Sequence, residues 1–380
     1  MANYRFYEFF AGGGMARAGL GPEWQCLFAN DFDPKKAHAY RANWQNNAMW
    51  CGDVGQVQKD QLPGSADLVW ASFPCQDLSL AGNGAGLNGT RSGAFWPFWN
   101  VVKDLIEDER KPHAIVLENV CGLLTSHGGA DFKTLCDTVG DAGYWIGAIV
   151  ADAKDFLPQS RPRLFLIALD KNRPVQGRIQ SPYAVDHWHP TRLREAQAFL
   201  SEESRSRWLW FSPPVPALRN TMLLDIIESN PIDVRWHSEA ETEKLLAMMS
   251  PVNRAKVDLV VTNKSPVVGA IYKRTRWESG KKIQRAEVRF DLAGCLRTPG
   301  GGSSRQSILI AVDGKIRTRL LSARETARLM GLDDTFELPA RYNDAYHLTG
   351  DGVAVPVVRH IAQFIIEPTL RQKESNFVAA

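Results

Sequence analysis

YRFYEFFAGGGMARAGL, residues 4–20, reads as a buried strand, a glycine turn and the start of a helix. Its first seven positions are mostly aromatic, and a short apolar run of this kind fits a strand covered on both faces. Gly12, Gly13 and Gly14 let the chain turn tightly and let a ligand approach the backbone, and the helix start beyond them offers free amide donors. The dinucleotide fingerprint is absent, because Arg17 stands where its third glycine would fall.

Outward from this stretch the alternation continues. LFAND (27–31), DLVWASF (67–73), AIVLENV (114–120) and LFLIALD (164–170) read as further buried strands, with PKKAHAYRANW (34–44) and PFWNVVKDLIEDE (97–109) as amphipathic helices between them. The pattern predicts an α/β fold built on a parallel sheet over residues 4–170. From about residue 172 the rhythm breaks into NRPVQGRIQSPY, FSPPVPALRN and ESNPID, which predicts a second, irregular domain with limited helix. LLSARETARLMGL predicts a helix whose apolar residues are Leu320, Leu321, Ala327, Leu329 and Met330. A last apolar segment, VAVPVVRHIAQFII, follows a turn expected at Gly350-Asp351-Gly352. The expected domains are 1–172 plus 343–380, and 173–342.

The chain has 380 residues, 44% of them hydrophobic and 23% charged, which excludes full disorder and fits two domains. No long uninterrupted apolar run and no basic-then-apolar leader is visible, so neither a membrane span nor a secretory precursor is expected. Six cysteines without a CxxC pair predict reduced thiols in a cytoplasmic protein, with no disulfide framework and no metal site. The net charge of +3 says little until divided: residues 1–170 carry −5, residues 171–290 carry +7 and residues 291–380 carry +1. The basic middle fits a polyanion partner or a solvated basic face.

Several side chains fall where strands end, the edge at which α/β sites are built. Asp31 lies 17 residues after Gly14, where a strand-end carboxylate can accept from two ribose hydroxyls. Asp53, in Gly52-Asp53-Val54, is placed to accept from an adenine amino group. Cys75, in SFPCQ after the strand DLVWA, is a candidate nucleophile on a glycine-rich loop, with an inert buried thiol as the alternative. Glu118, after AIVL, suits proton exchange with a substrate nitrogen or a helix N-terminus. Arg161 and Arg163, one residue apart in QSRPR, point the same way from an extended segment and suit an oxyanion, a carbonyl oxygen or a phosphate, with a surface ion pair as the alternative.

Read in order, FAGGG, NDFD, GDV, FPCQ, RSGAF, ENV, QSRPR, RLLSARETARLMG and GDGVAVPVV resemble the motifs of DNA (cytosine-5)-methyltransferases of the bacterial and phage type. The resemblance covers about residues 6–170 and 318–366 and begins by about residue 8, as in a compact enzyme. It implies a Rossmann-like S-adenosylmethionine-dependent methyltransferase domain and a smaller target recognition domain with a hinge. It implies Cys75 as the nucleophile at carbon 6 of a flipped-out cytosine, Glu118 at ring nitrogen 3, and Arg163 at the carbonyl oxygen, with Arg161 nearby and near the phosphate. S-adenosylmethionine is implied at Phe10, Gly12, Gly14, Asp31, Phe32, Asp53, Val54, Pro74 and Asp351, and no metal. Double-stranded DNA is the implied partner, held in part by Lys273, Arg274, Arg276 and Arg285, with no membrane, a companion restriction endonuclease, a monomeric state and a bacterial cytoplasmic location. Met15, Ser72 and Asp351 depart from the family's usual Gly, Gly and Asn. An RNA (tRNA) cytosine methyltransferase and a non-catalytic DNA-binding relative are the alternatives, and a nicotinamide oxidoreductase is disfavoured by the missing third glycine.

Overall fold

The computed structural model describes residues 3–45, 47–74, 92–175, 179–278, 280–298 and 305–371. The chain forms two compact units, one of Met1–Asp152, Pro162–Val215 and Val355–Ala380, the other of Ala153–Arg161 and Pro216–Ala354.

The first unit is built on seven strands: β1 (Tyr4–Phe9), β2 (Trp24–Asp31), β3 (Met49–Cys51), β4 (Leu68–Ala71), β5 (Ala114–Asn119), β6 (Tyr144–Asp152) and β7 (Pro162–Asp170). They lie in the order β3-β2-β1-β4-β5-β7-β6. Strand order reverses between β1 and β4, so the segments that leave those two strands, the glycine turn and Ser72-Phe73-Pro74, face the crevice where doubly wound sheets bind ligands. The expected wholly parallel sheet is corrected at one edge, because β7 runs antiparallel to both β5 and β6. Only residues 153–161 join β6 to β7, too few for a parallel crossover. β6 is also an addition to the strands expected.

Helices α1 (Met15–Leu20), α2 (Pro34–Asn43), α3 (Phe95–Glu107) and α4 (Ala130–Asp141) connect these strands. Asp33 starts α2 by accepting from the Lys35 amide at 2.8 Å, with Pro34 at the first helical position, where its missing N–H costs nothing. Phe95, Phe98, Trp99, Val102 and Leu105 form the buried stripe of α3 and pack with Phe9 and Phe73 in the core beneath the crevice.

Residues 173–215 stay with this unit through α5 (Thr191–Ala198), α6 (Glu202–Ser206) and the short pair β8 (Gln180–Ser181) and β9 (Trp210–Phe211). Backbone bonds between Ile146 and Arg207 and between Leu209 and Ile146, at 2.9 and 2.7 Å, fasten them to β6. The division of the chain thus differs from the expected boundaries at 172 and 342.

The second unit holds α7 (Leu223–Ile226), α8 (Glu239–Ala247), α9 (Pro251–Val261) and a four-stranded antiparallel sheet in place of the irregular domain expected. Its strands are β10 (Val267–Glu278), β11 (Lys281–Arg289), β12 (Ser307–Val312) and β13 (Lys315–Leu320), in the order β11-β10-β12-β13. Leu245 and Leu246 of α8, Val257 of α9 and Met249 between them cover Ile271, Val288 and Leu309 of the sheet.

After β13 comes α10 (Ala323–Leu329), later-starting than expected because Leu320 still belongs to the strand and Ser322 caps the helix. Glu325 completes the capping box and also takes Arg319 in two bonds of 2.6 and 2.7 Å, both side chains fully buried. Removing one partner strands a buried charge, so Arg319→Met is expected to cost about 3–5 kcal/mol in chemical denaturation. Arg317→Met, two residues away on the same face but exposed and stacked 4.0 Å over the Trp236 ring, is expected to cost about 1 kcal/mol or less.

The chain closes with α11 (Tyr342–Asp351), α12 (Val355–Ile361) and α13 (Glu367–Leu370). Asp351 therefore ends a helix, where a turn was expected. Tyr342–Leu370 has the length and mean hydropathy of a membrane-crossing helix, but 67% of its apolar window is buried within the protein, as in a core helix.

Candidate active site

The glycine turn leaves β1 through three residues of left-handed backbone: Phe10 (φ 56°), Gly12 (φ 56°) and Gly14 (φ 83°). Glycine adopts this region freely, but a phenylalanine is strained in it, so the surrounding bonds must hold Phe10 there. Ala11 N donates to Asn30 O at 2.9 Å, Gly12 N to Asp31 Oδ2 at 2.7 Å and Gly14 N to Ala11 O at 2.8 Å. Nothing lies within 4 Å of where a Cβ on Gly12 would project, which leaves open space before the turn.

Asp31, only 8% exposed, accepts from Gly12 N through one oxygen and from Asp33 N, at 2.8 Å, through the other. Burial pushes its carboxyl up from the ordinary range. Each oxygen keeps a lone pair, so the group can still accept two hydroxyls. Phe32, beside it, leaves its ring 75% exposed, an unusual setting for a large apolar side chain at a sheet edge. Gly52 N bonds Asp31 O at 3.0 Å and Asn30 Nδ2 bonds Gly52 O at 2.9 Å, so the end of β3 is tied to the end of β2. Asp53 follows, accepting from Gly55 N at 2.9 Å, while Val54 is buried. An acid, an exposed ring and a glycine cradle thus line one sheet edge, a set that fits a nucleoside-bearing methyl donor.

The next strand ends carry the second cluster. Asn119 Nδ2 donates to Phe73 O at 3.2 Å, tying the end of β5 to the segment that leads through Pro74 toward Cys75. Cys75 itself lies outside the described residues. Glu118, the residue before Asn119, is buried and meets Arg163 of β7, whose Nε stands 3.2 Å from its Oε1. Arg163 also donates to Pro162 O at 3.0 Å. Asn119 is a residue whose part the sequence reading missed, although ENV was singled out as a motif. Among the described thiols, burial pushes Cys121 up to about 11 and Cys26 up to about 12, and Cys136 is also pushed well up, so these three stay protonated at neutral pH.

Arg161 does not join Arg163. It belongs to the second unit, is 2% exposed, and donates to Leu296 O (2.9 Å), Gly350 O (2.8 Å) and Gly352 O (2.7 Å). A guanidinium committed to three carbonyls is a structural clamp, which corrects the expectation that it faces a phosphate. Asp351, in the same unit, accepts from the Thr298 hydroxyl.

Strand alternation sorts the basic residues of the β10–β11 hairpin. Arg274 stands directly opposite Arg285, on the face away from the helix-covered core, and Arg276 pairs in register with Ile283; Lys273, opposite the buried Ala286, falls on the other face. The Arg276 side chain lies outside the described residues. Arg274 lies 4.8 Å over the Tyr272 ring and 3.8 Å from Glu287. Among the described residues no three His, Cys, Asp or Glu side chains are placed to hold a metal ion.

A doubly wound sheet with a reversed edge strand, a glycine turn after its first strand and a carboxylate–arginine pair at the neighbouring strand ends define a Rossmann-like methyltransferase of the S-adenosylmethionine-dependent fold. The chain belongs to the C-5 cytosine-specific DNA methylase family, whose model matches residues 4–367, and it is a DNA (cytosine-5-)-methyltransferase. Type II methyltransferase M1.ScrFI of Lactococcus lactis subsp. cremoris is 26% identical over 376 residues, covering 98% of this chain and 80% of its own. Type II methyltransferase M.HhaI of Haemophilus parahaemolyticus is 26% identical, over 95% of this chain and 94% of its own. Among solved structures, the S. pombe Dnmt2 methyltransferase shares the fold with a TM-score of 0.58 at 16% identity, over 96% of this chain and 98% of its own.

Proposed function

We propose that the enzyme methylates carbon 5 of a cytosine flipped out of a specific duplex DNA sequence, with S-adenosylmethionine as donor and Cys75 as nucleophile. The observation that carries the reading is the cluster at the ends of β4 and β5, where Asn119 ties the segment before Cys75 to the strand that bears Glu118, itself paired with Arg163. Bound S-adenosylmethionine supplies an electrophilic methyl group. Asp31 holds its ribose, Phe32, Asp53 and Val54 its adenine, and Phe10, Gly12, Gly14 and Pro74 shape its pocket.

Cys75 forms a bond from sulfur to carbon 6 of the base, and the electrons of the carbon 5–carbon 6 double bond shift into the ring. Glu118 gives a proton to ring nitrogen 3, and Arg163 orients Glu118 and the carbonyl oxygen at carbon 2. Carbon 5, now electron-rich, would take the methyl group, and the electron pair of the broken bond would stay on the donor's sulfur as a neutral thioether. The carbon 5 proton then leaves to solvent, the bond from sulfur to carbon 6 breaks, and ring nitrogen 3 returns its proton to Glu118, restoring the aromatic ring, the thiolate and the acid. A base inside a duplex is unreachable by this machinery, so extrusion precedes the chemistry.

The second unit serves as the target recognition domain, with Arg274, Arg276 and Arg285 toward phosphates. Like charges placed directly across a strand pair repel, and a polyanion relieves that repulsion. Replacing Arg274 and Arg285 together by serine is expected to weaken duplex binding in fluorescence anisotropy. The slope of log affinity against log salt is expected to fall by about one for each phosphate that is no longer neutralised. A wild-type response that is nearly flat in salt contradicts the assignment. Type II relatives favour a cytoplasmic restriction–modification role beside a companion endonuclease. Incubation with tritiated S-adenosylmethionine tests the substrate class: label in duplex DNA is expected, and stronger label in an RNA pool overturns it.

A further inference from the structure

Behind the glycine turn lies a polar cluster that none of the roles above uses. Trp44 follows the end of α2, its own amide bonded to Tyr40 O at 2.9 Å. Its ring nitrogen donates to Gly13 O at 3.1 Å, in the middle of the turn. The ring also fills the space beside Gly14, where an added Cβ would overlap Trp44 Nε1, so the turn and the indole fit only with glycine there. On the other side the Arg17 guanidinium lies 4.7 Å over the Trp44 ring and 5.7 Å over the Tyr40 ring, and its Nη1 donates to the Tyr40 hydroxyl at 3.2 Å.

Tyr40 is fully buried, and its hydroxyl stands 3.3 Å from Glu8 Oε2 and 3.3 Å from Cys26 Sγ. Glu8 is itself buried in the centre of β1, and burial pushes its carboxyl up to about 8. A neutral acid at this depth serves Tyr40 as a hydrogen-bond partner without the cost of a buried charge. The residue that stands in place of the dinucleotide fingerprint's third glycine, Arg17, is therefore one jaw of a clamp whose other jaw is Trp44.

We infer that Trp44, pressed by Arg17, which Tyr40 and behind it Glu8 anchor, is a positioning residue that holds the Gly12–Gly14 turn in its donor-binding shape and so sets affinity for the methyl donor without taking part in the transfer. The inference rests on the proposed reading of the turn as the S-adenosylmethionine site. None of these side chains is assigned to the reacting atoms, so their loss acts on binding of the donor and not on the chemical step.

The test is calorimetric titration of the full-length protein with S-adenosylmethionine, together with steady-state kinetics on duplex DNA. Trp44→Phe keeps an aromatic ring, removes the N–H donor to Gly13 and leaves a smaller ring beside Gly14 and Arg17. Its dissociation constant for the donor is expected to rise roughly five- to tenfold, with kcat at saturating donor and KM for DNA within about twofold of wild type. Arg17→Met, which removes the guanidinium over the Trp44 ring and its bond to the Tyr40 hydroxyl, is expected to shift the same constant in the same direction by a smaller factor. Unchanged donor affinity in Trp44→Phe overturns the inference, as does a fall in kcat at saturation with affinity intact. Failure of the wild-type protein to bind the donor, or unimpaired binding by Asp31→Ala, overturns instead the reading of the turn on which the inference rests.

Discussion

Cys75→Ser is expected to lower kcat for methyl transfer by about four orders of magnitude or more, while duplex affinity and donor affinity stay near wild type. The reason lies in the nucleophile. A thiol is a few per cent thiolate at neutral pH and strongly nucleophilic, whereas a serine hydroxyl stays un-ionised there and is a far weaker nucleophile. Losing the covalent step removes the route that makes carbon 5 electron-rich, and remaining binding interactions cannot replace it. Cys26, Cys121 and Cys136, held protonated by burial, offer no substitute. Single-turnover transfer of tritiated methyl groups measures the loss, and a rate within tenfold of wild type would remove Cys75 from the reaction.

Glu118→Gln is expected to lower kcat by about 10²–10⁴, with KM for both substrates changed little. Glutamine keeps the shape of the side chain and can donate to ring nitrogen 3 but cannot transfer a proton, so the charge that develops as sulfur adds goes uncompensated. The substitution also removes the charge partner of Arg163, 3.2 Å away. Presteady-state kinetics distinguish the two consequences: the chemical step slows, while the dissociation constants for donor and duplex hold. An unchanged chemical step would leave Glu118 a structural ion-pair partner.

The parts of the molecule legible in the sequence are those where local pattern and tertiary environment agree. Strands buried on both faces read as apolar runs, so β1, β2, β4, β5 and β7 were visible, and the glycines after β1 marked the turn. The β10–β11 hairpin was hidden for the opposite reason. Its apolar signal ends near Ile271, where the core covered by α8 and α9 ends, and the charged residues beyond it read as irregular chain. Spacing misled at Arg161 and Arg163 because the boundary between the two units falls between Arg161 and Pro162, so alternation along one strand does not relate them. Trp44 gave no sequence signal at all. Its role depends on meeting Gly13 and Arg17 in space, and a tryptophan after an amphipathic helix reads as ordinary core.

Methyl transfer to carbon 5 of cytosine in one DNA sequence, through Cys75, has a direct consequence in a living host. Bisulfite sequencing of DNA from a host expressing the wild-type enzyme, compared with a host expressing Cys75→Ser at equal soluble level, tests it most directly. A single sequence motif protected at one cytosine in the wild-type host, and unprotected in the Cys75→Ser host, is the predicted result. Protection that persists with Cys75→Ser, or wild-type DNA without a protected motif, would contradict it.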